Sequence, residues 1–269
     1  MPLNLSPLFS NDFRLSSLPL LWYRTYVLPK GGTMQVCPVC FWEDLPSERF
    51  CFGSLSVEAA QKCFFEKGAC EGRYRDAVRA PLSEEARSPV WLSYEDLRAG
   101  IIRWIEIHFE DVTRDGGTTL HQMDVLDDYG SPGDLAEAAK LDNERTWQEI
   151  SDLKLSNFAC SMVFLNANGF RFYLPAFMRF TLANWADGAS TCENMGVIYA
   201  LSGGPGGFHH EAFESFSRFQ MEAVSAFLWY IANSNDSMAE DAESSLAYGW
   251  GKFLPDFVRL FSESFSNSL

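Results

Sequence analysis

Residues 93–108, SYEDLRAGIIRWIEIH, carry the clearest secondary-structure pattern of this 269-residue chain. Apolar side chains recur three and four positions apart, which is the spacing of one face of an α-helix. Ser93 is a favourable N-cap, and Glu95 and Asp96 suit the positive end of the helix dipole. The apolar face consists of Leu97, Ile101, Trp104, Ile105 and His108. The stretch therefore predicts an amphipathic helix.

Other helices are predicted on both sides of this one. Ser56 opens a helical stretch that Gly68 ends. The sequence Ser131-Pro132-Gly133-Asp134 is a helix start signal and predicts a short helix through Leu141. A long helix is predicted over roughly residues 209–232, where apolar side chains again recur at helical spacing. The fold class is therefore mainly α, with a small α+β part.

The α+β part includes a predicted β-hairpin. Residues 163–175, VFLNANGFRFYLP, consist of two short apolar runs around a turn that contains glycine. Alternation places Arg171 and Tyr173 on the face opposite the apolar side chains. Pro175 cannot donate to a ladder and would end the second strand. Arg171 and Tyr173 could line an anion pocket, but with 23 Phe in the chain a buried aromatic strand is the favoured interpretation.

The charge of the chain excludes several classes of partner. Lys and Arg number 21 and Asp and Glu number 36, which gives a net charge of −15 and a pI near 4.6. Binding to nucleic acid or to an anionic membrane requires a basic face, so neither is expected. No uninterrupted apolar run is long enough to span a bilayer. The 47% of apolar residues is typical of a globular protein.

The seven cysteines indicate a reducing compartment. Their odd number, with five inside a short window, is a poor disulfide framework. The apolar stretch Leu15–Tyr23 is interrupted by Pro19 and followed by Arg24, which is not the pattern of a secretion signal. We therefore expect a cytoplasmic protein whose clustered cysteines bind metal or are buried as small apolar side chains.

Two segments of the N-terminal part resemble a known family. Residues 37–44, CPVCFWED, and residues 54–85 resemble the bacterial cysteine-rich CPCC family, whose members carry a further Cys-Pro-Cys-Cys ahead of this motif. In this chain that tetrapeptide would fall at residues 20–23, which read LLWY. The resemblance thus implies a zinc-ribbon-like module in which half of the ligand set has been lost.

A zinc ion would need four ligands, and Cys37 and Cys40 supply two of them. Cys63 and Cys70 are the candidates for the remaining ligands, with Cys51 as a further candidate. The favoured interpretation is a degenerate site without a cofactor, in which residues 20–23 fill the metal position by apolar packing. Redox chemistry at the Cys-x-x-Cys pair is a further alternative. It requires a stabilised thiolate, and the residues that follow are aromatic and acidic.

The rest of the chain resembles a different, uncharacterised family. The similar pieces are LHQMDVLDDYGSP at residues 120–132, WQEI at 147–150 and FLNANGFRFYLPAFM at 164–178. The resemblance implies no activity. Together the two resemblances predict a cysteine-rich module over residues 1–85, a linker over residues 86–92 and a helical domain over residues 93–269.

One compact cluster of oxygen and nitrogen ligands stands out in the second part. His121, Asp124 and Asp128 would share one face of a helix and could hold a divalent cation for hydrolysis. Asp127 and Asp128 are equally typical of a helix that ends in a turn, and that interpretation is favoured. Either of these two acids is also a candidate ion-pair partner for Arg171.

Three functional hypotheses follow. The favoured one is a non-catalytic, acidic protein-binding module of the immunity-protein or antitoxin type, since a net charge of −15 would steer a basic protein partner towards it. The second is a metal-dependent hydrolase centred on His121, Asp124 and Asp128. The third is a zinc-stabilised adaptor that uses Cys37 and Cys40.

Overall fold

The computed structural model describes six segments of the chain. They divide between two compact units, one made mainly of residues up to Leu97 and the other of Arg98–Ala232 and Ser237–Pro255. The predicted linker, residues 86–92, lies outside the described segments. The segments are residues 36–43, 57–83, 93–158, 162–184, 191–233 and 238–259, with only the backbone described for residues 57 and 191–195.

The first unit contains a tight turn and a helix. Val36 and Glu43 form an antiparallel bridge across the turn. Helix α1, Val57–Lys67, ends at Gly68, whose φ of +85° is easily adopted by glycine. A 3₁₀ turn over Gly72–Ala77 follows. The helix predicted from Ser56 is therefore present, whereas the zinc-ribbon character of this part stays a prediction.

The second unit is built from helices and short 3₁₀ turns. Helix α2 begins at Tyr94, and Ser93 caps it as predicted, because its Oγ accepts a hydrogen bond from the amide of Asp96 at 3.0 Å. A capping box between Ser131 and Asp134 starts α4, again as predicted. The helices are α2 (Tyr94–His108), α3 (Leu120–Asp127), α4 (Pro132–Ala139), α5 (Asp152–Asn157), α6 (Ala167–Asn184), α7 (Thr191–Leu201), α8 (His210–Glu214), α9 (Arg218–Ala232) and α10 (Ala239–Ala247).

The predicted β-hairpin is wrong, because its second strand and its turn belong to helix α6. Asn166 does not sit in a hairpin turn but caps this helix, and its side-chain oxygen accepts the amide of Gly169 at 2.9 Å. Phe172 and Tyr173, expected on opposite faces of a strand, are both fully buried. Pro175 lies inside the helix, where it has no N–H to donate to the carbonyl of Arg171. Burial of most residues of α6 weakens the amphipathic pattern by which a surface helix is recognised.

The long helix predicted over residues 209–232 is two helices. Helix α8 ends at Glu214, and α9 begins at Arg218. Ser217 and Gln220 form a reciprocal capping box that starts α9, since each side chain accepts the amide of the other. The break was visible in the sequence as Ser-x-x-Gln, but the continuous apolar spacing hid it.

The core of the second unit surrounds α6 and α9, which are both largely buried. Two fully buried tryptophans each donate their indole N–H to a backbone carbonyl. Trp147 donates to Phe109 at 2.7 Å and Trp250 to Leu201 at 3.0 Å. The fold is thus mainly helical, with no strand among the described residues. None of the described helices is long and apolar enough to cross a membrane.

Candidate functional site

A buried carboxylate, that of Asp142, is hydrogen-bonded to polar groups from two parts of the second unit, the start of α3 and helix α5. Its side chain is not exposed at all. It accepts the backbone amide of His121 at 2.9 Å, and the His121 Nδ1 lies 2.9 Å from its other oxygen. The Lys154 Nζ lies 2.5 Å from the carboxylate, and the Thr119 hydroxyl is also hydrogen-bonded to it. Asp142 therefore joins the start of α3 to helix α5.

Helix α3 positions His121 through its own N-terminal capping box. The Thr119 side chain accepts the amide of Gln122 at 3.3 Å, and the Gln122 side chain accepts the amide of Thr119 at 2.9 Å. The first amides of a helix have no partner within it, so the amide of His121 needs an outside acceptor. Asp142 is that acceptor.

Lys154 bridges two carboxylates. It pairs with Glu144 at 2.6 Å as well as with Asp142, and its side chain is only 15% exposed. Burial alone would raise the pKa of Asp142, but hydrogen bonds from Lys154, Thr119 and His121 outweigh it, so the pKa of Asp142 is lowered. Burial alone would lower the pKa of Lys154, and its two carboxylate partners raise it instead. Both groups are therefore charged near neutral pH.

Arg114 extends this network to helix α6. Its guanidinium donates to the backbone carbonyl of Asp142 and to the hydroxyl of Tyr173, each at 3.2 Å. Burial raises the pKa of Tyr173 to about 12. The Tyr173 hydroxyl is therefore neutral and accepts a hydrogen bond from the Arg114 guanidinium. Such buried, paired polar groups are typical of a structural network. We call Arg114, His121, Asp142, Lys154 and their direct partners the Asp142 network.

The structure divides the predicted functional cluster. His121 and Tyr173 both belong to the Asp142 network, whereas Asp124, Asp127 and Asp128 are exposed. Partial burial, with the neighbouring acids, raises the pKa of Asp124 against the opposing effect of His121. Within the described segments, no group of three or more His, Cys, Asp or Glu side chains could hold a metal ion.

The turn after α3 is exposed to solvent. The helix ends at Asp127, and the amide of Gly130 donates back to the carbonyl of Val125 at 2.8 Å. Tyr129 has a φ of +55° and is 96% exposed. Arg171 makes no ion pair with Asp127 or Asp128 in the described part of the chain, and its Nε has no hydrogen-bond partner there.

Sequence reasoning missed the centre of the network. Asp142 follows α4 in a polar stretch, and in a chain with so many acids a single Asp is expected at the surface. The signal that could have found it is the Thr-x-x-Gln capping box at Thr119. That box fixes a helix start, whose free amides call for an acceptor elsewhere in the chain.

Cys37 and Cys40 lie within the turn that Val36 and Glu43 close, and Cys70 is hydrogen-bonded to it through its backbone. The amide of Phe41 donates to the carbonyl of Cys37, and the amide of Cys70 donates to the carbonyl of Cys40, at 2.8 and 2.7 Å. The Cys40 thiol is hydrogen-bonded to the Cys37 side chain, which raises the pKa of Cys40 together with burial. Burial raises the pKa of the Cys70 thiol to about 11.

The described residues do not assemble a closed zinc site. A structural zinc ion takes four deprotonated ligands, and no three candidate ligands converge among the described residues. Cys51 and residues 20–23 lie outside the described segments. Zinc binding at these cysteines therefore stays a prediction.

Comparisons with known proteins give two family matches. The model of a cysteine-rich CPCC family matches residues 22–85. A second model, described as a family of unknown function, matches residues 97–252, which is more than half of the chain. None of the curated proteins and none of the solved structures matches. The chain therefore belongs to the family of unknown function DUF6714 and carries a cysteine-rich CPCC segment ahead of it.

Proposed function

We propose that the chain is a non-catalytic protein-binding module whose acidic surface docks a basic protein, in the manner of immunity proteins and antitoxins. The observation that carries the proposal is the concentration of charge in the second unit. This unit holds 21 Asp and Glu against 10 Lys and Arg, a net charge of −11 out of −15 for the whole chain.

The exposed carboxylates at the end of α3 support the choice of partner. Asp124, Asp127 and Asp128 are all exposed, and none forms an ion pair with a described residue. The exposed ring of Tyr129 follows them directly. An aromatic ring next to carboxylates favours Lys and Arg, which pair with the acids and stack on the ring.

The net charge also predicts how such a partner would bind. A field of this size attracts a basic protein over several ångströms and raises the association rate, while salt screens the attraction. We therefore expect an association rate that falls steeply as ionic strength rises. The dissociation rate should depend on close contacts and change little with salt.

Capture from an extract of the source organism tests the proposal. The full chain is immobilised, retained proteins are quantified by mass spectrometry, and the expected result is a stoichiometric partner of high isoelectric point that salt releases. The double variant Asp127→Asn/Asp128→Asn should retain less of it. The matched control, Glu240→Gln/Asp241→Asn on α10, removes the same charge from another exposed helix.

The kinetics of the purified pair separate general steering from direct contact. Both double variants should slow association about equally, because each removes two negative charges. Only the α3 variant should speed dissociation if the partner contacts the end of α3. Recovery of no stoichiometric partner, or of acidic partners alone, would contradict the proposed function.

The metal-dependent hydrolase and the zinc-stabilised adaptor are not proposed. In the hydrolase hypothesis His121, Asp124 and Asp128 share one metal ion, whereas no three candidate ligands come together among the described residues. Elemental analysis of protein purified without chelator tests both alternatives at once.

A further inference from the structure

The Cys-Pro-Val-Cys segment forms one tight turn in the first unit. The carbonyl of Cys37 accepts the amide of Phe41, and the amide of Cys37 donates to the carbonyl of Trp42, both at 2.8 Å. The bridge between Val36 and Glu43 closes the same turn. Cys37 and Cys40 are thus held three residues apart in a fixed backbone, with their side chains in hydrogen-bond contact.

The two cysteines of this turn differ in access. Cys40 is 1% exposed, and its backbone is anchored by the amide of Cys70. Cys37 is only partly buried. One thiol can therefore meet a reagent from solution, and the other is placed to react with the first.

Access therefore ranks the cysteines of this unit, because thiol–disulfide exchange begins at a thiol that the external disulfide can reach. Among the described cysteines of the turn, Cys37 is the one that meets this condition. Cys70 is buried, so it competes poorly for an external reagent.

We propose that Cys37 and Cys40 are a reversible dithiol–disulfide pair, with Cys37 as the attacking sulfur and Cys40 as the resolving one. The oxidant is an external disulfide, RS–SR. The Cys37 thiolate attacks one of its sulfurs and expels RS⁻, which takes up the proton that Cys37 gave up. Cys40 then gives up its proton, its sulfur attacks the Cys37 sulfur, and the second RS⁻ is expelled and takes up that proton.

In sum, two protein thiols are oxidised to one disulfide, and one external disulfide is reduced to two thiols. This inference goes beyond the proposed binding function and does not depend on it. The disulfide would form between two cysteines of one turn and needs no partner protein. Its oxidation state would therefore follow the ratio of external disulfide to thiol.

Oxidised and reduced glutathione in set ratios provide the test on the full chain. The samples are quenched with acid, free thiols are alkylated, and the cysteines are located by peptide mapping. We expect one internal disulfide, between Cys37 and Cys40, that dithiothreitol reverses. Without oxidant, alkylation should be at least about tenfold faster at Cys37 than at Cys40.

Two variants assign the roles of the thiols. Cys40→Ser should lose the internal disulfide and accumulate a mixed disulfide of glutathione with Cys37. Cys63→Ser, which removes a neighbouring thiol, should behave as the wild type. Should Cys40→Ser fail to fold, the wild-type peptide map alone decides.

Three results would overturn the proposal. One is that Cys37 and Cys40 both remain open to alkylation at the most oxidising ratio. Another is an internal disulfide that joins either of them to a different cysteine. The third is a stoichiometric zinc ion that blocks both thiols until a chelator removes it.

Discussion

The His121 Nδ1 and the Asp142 carboxylate lie 2.9 Å apart, and the amide of the same histidine donates to the other carboxylate oxygen. The Asp142 side chain thereby contacts both the ring and the backbone amide of His121 at the start of α3. Lys154 on α5 pairs with the same carboxylate. The charge of Asp142 therefore links α3 to α5, and it is the acceptor for donors of both helices.

Substitution of Asp142 tests the role of this charge. Asp142→Asn keeps the shape of the side chain but leaves Lys154 with Glu144 as its only carboxylate partner in the network. The broken buried pair should lower the free energy of unfolding by about 3 kcal/mol. Urea denaturation at pH 7 measures the change. Asp127→Asn, at an exposed position, is the matched control and should stay within about 0.5 kcal/mol of the wild type. Equal midpoints for the two variants would show that the network carries no stability.

The helices that could be predicted from sequence are those with an amphipathic face and a capping residue. Helices α2 and α4 meet both conditions, and Ser93 and Ser131 cap them as expected. Helix α6 is capped by Asn166 but shows no clear amphipathic face, because most of its residues are buried, and it contains Pro175. Its short apolar runs are equally typical of buried strands, and only tertiary packing decides between the two.

The candidate site could be predicted only in part, for a different reason. His121 and Tyr173 were singled out by residue type, but their partners, Asp142 and Arg114 respectively, lie outside the helices. Long-range hydrogen bonds such as that from Arg114 to Tyr173 join residues far apart in the chain. Such a contact leaves no periodic pattern in one sequence.

Close backbone approach at the start of α6 makes Gly169 sensitive to substitution. A Cβ there would lie 2.4 Å from the carbonyl oxygen of Thr118, and backbone cannot yield as a flexible side chain can. Gly169→Ala should therefore cost about 2 kcal/mol. Gly133→Ala is the control inside α4, where a Cβ would meet only an ordinary contact at 3.6 Å. It should be neutral or stabilising by about 0.5 kcal/mol, and thermal or urea unfolding of both variants gives the comparison.

Chelation distinguishes a degenerate cysteine site from a working metal site. We expect the thermal midpoint of the full chain to be unchanged by EDTA, since no three candidate ligands come together around Cys37 and Cys40 among the described residues. A metal bound only to the folded state would stabilise it, and its removal would lower the midpoint. Differential scanning calorimetry with and without EDTA, on protein purified without chelator, makes the measurement. A drop of several degrees would restore the zinc-stabilised hypothesis.

His209 makes the stability of the second unit sensitive to mild acid. The ring is 5% exposed, stacks on Phe170 with centroids 3.8 Å apart, and has no hydrogen-bond partner at Nε2 among the described residues. Burial lowers its pKa to about 4, from an ordinary value of 6.5. Below pH 6.5 the unfolded chain therefore binds a proton that the folded chain does not, and stability falls as the pH drops from 6.5 towards 4.

The size of this loss of stability follows from the difference between the pKa of His209 in the unfolded and the folded chain. The full loss attributable to His209 is about 3 kcal/mol, and most of it should be present by pH 4.5. His209→Gln should flatten this part of the curve of unfolding free energy against pH, at some cost in stability at pH 7.5 from the lost stacking. His210→Gln is the matched control, because His210 is exposed and should keep the wild-type slope. If the slope between pH 6.5 and 4.5 is the same in all three proteins, His209 is not the group that titrates.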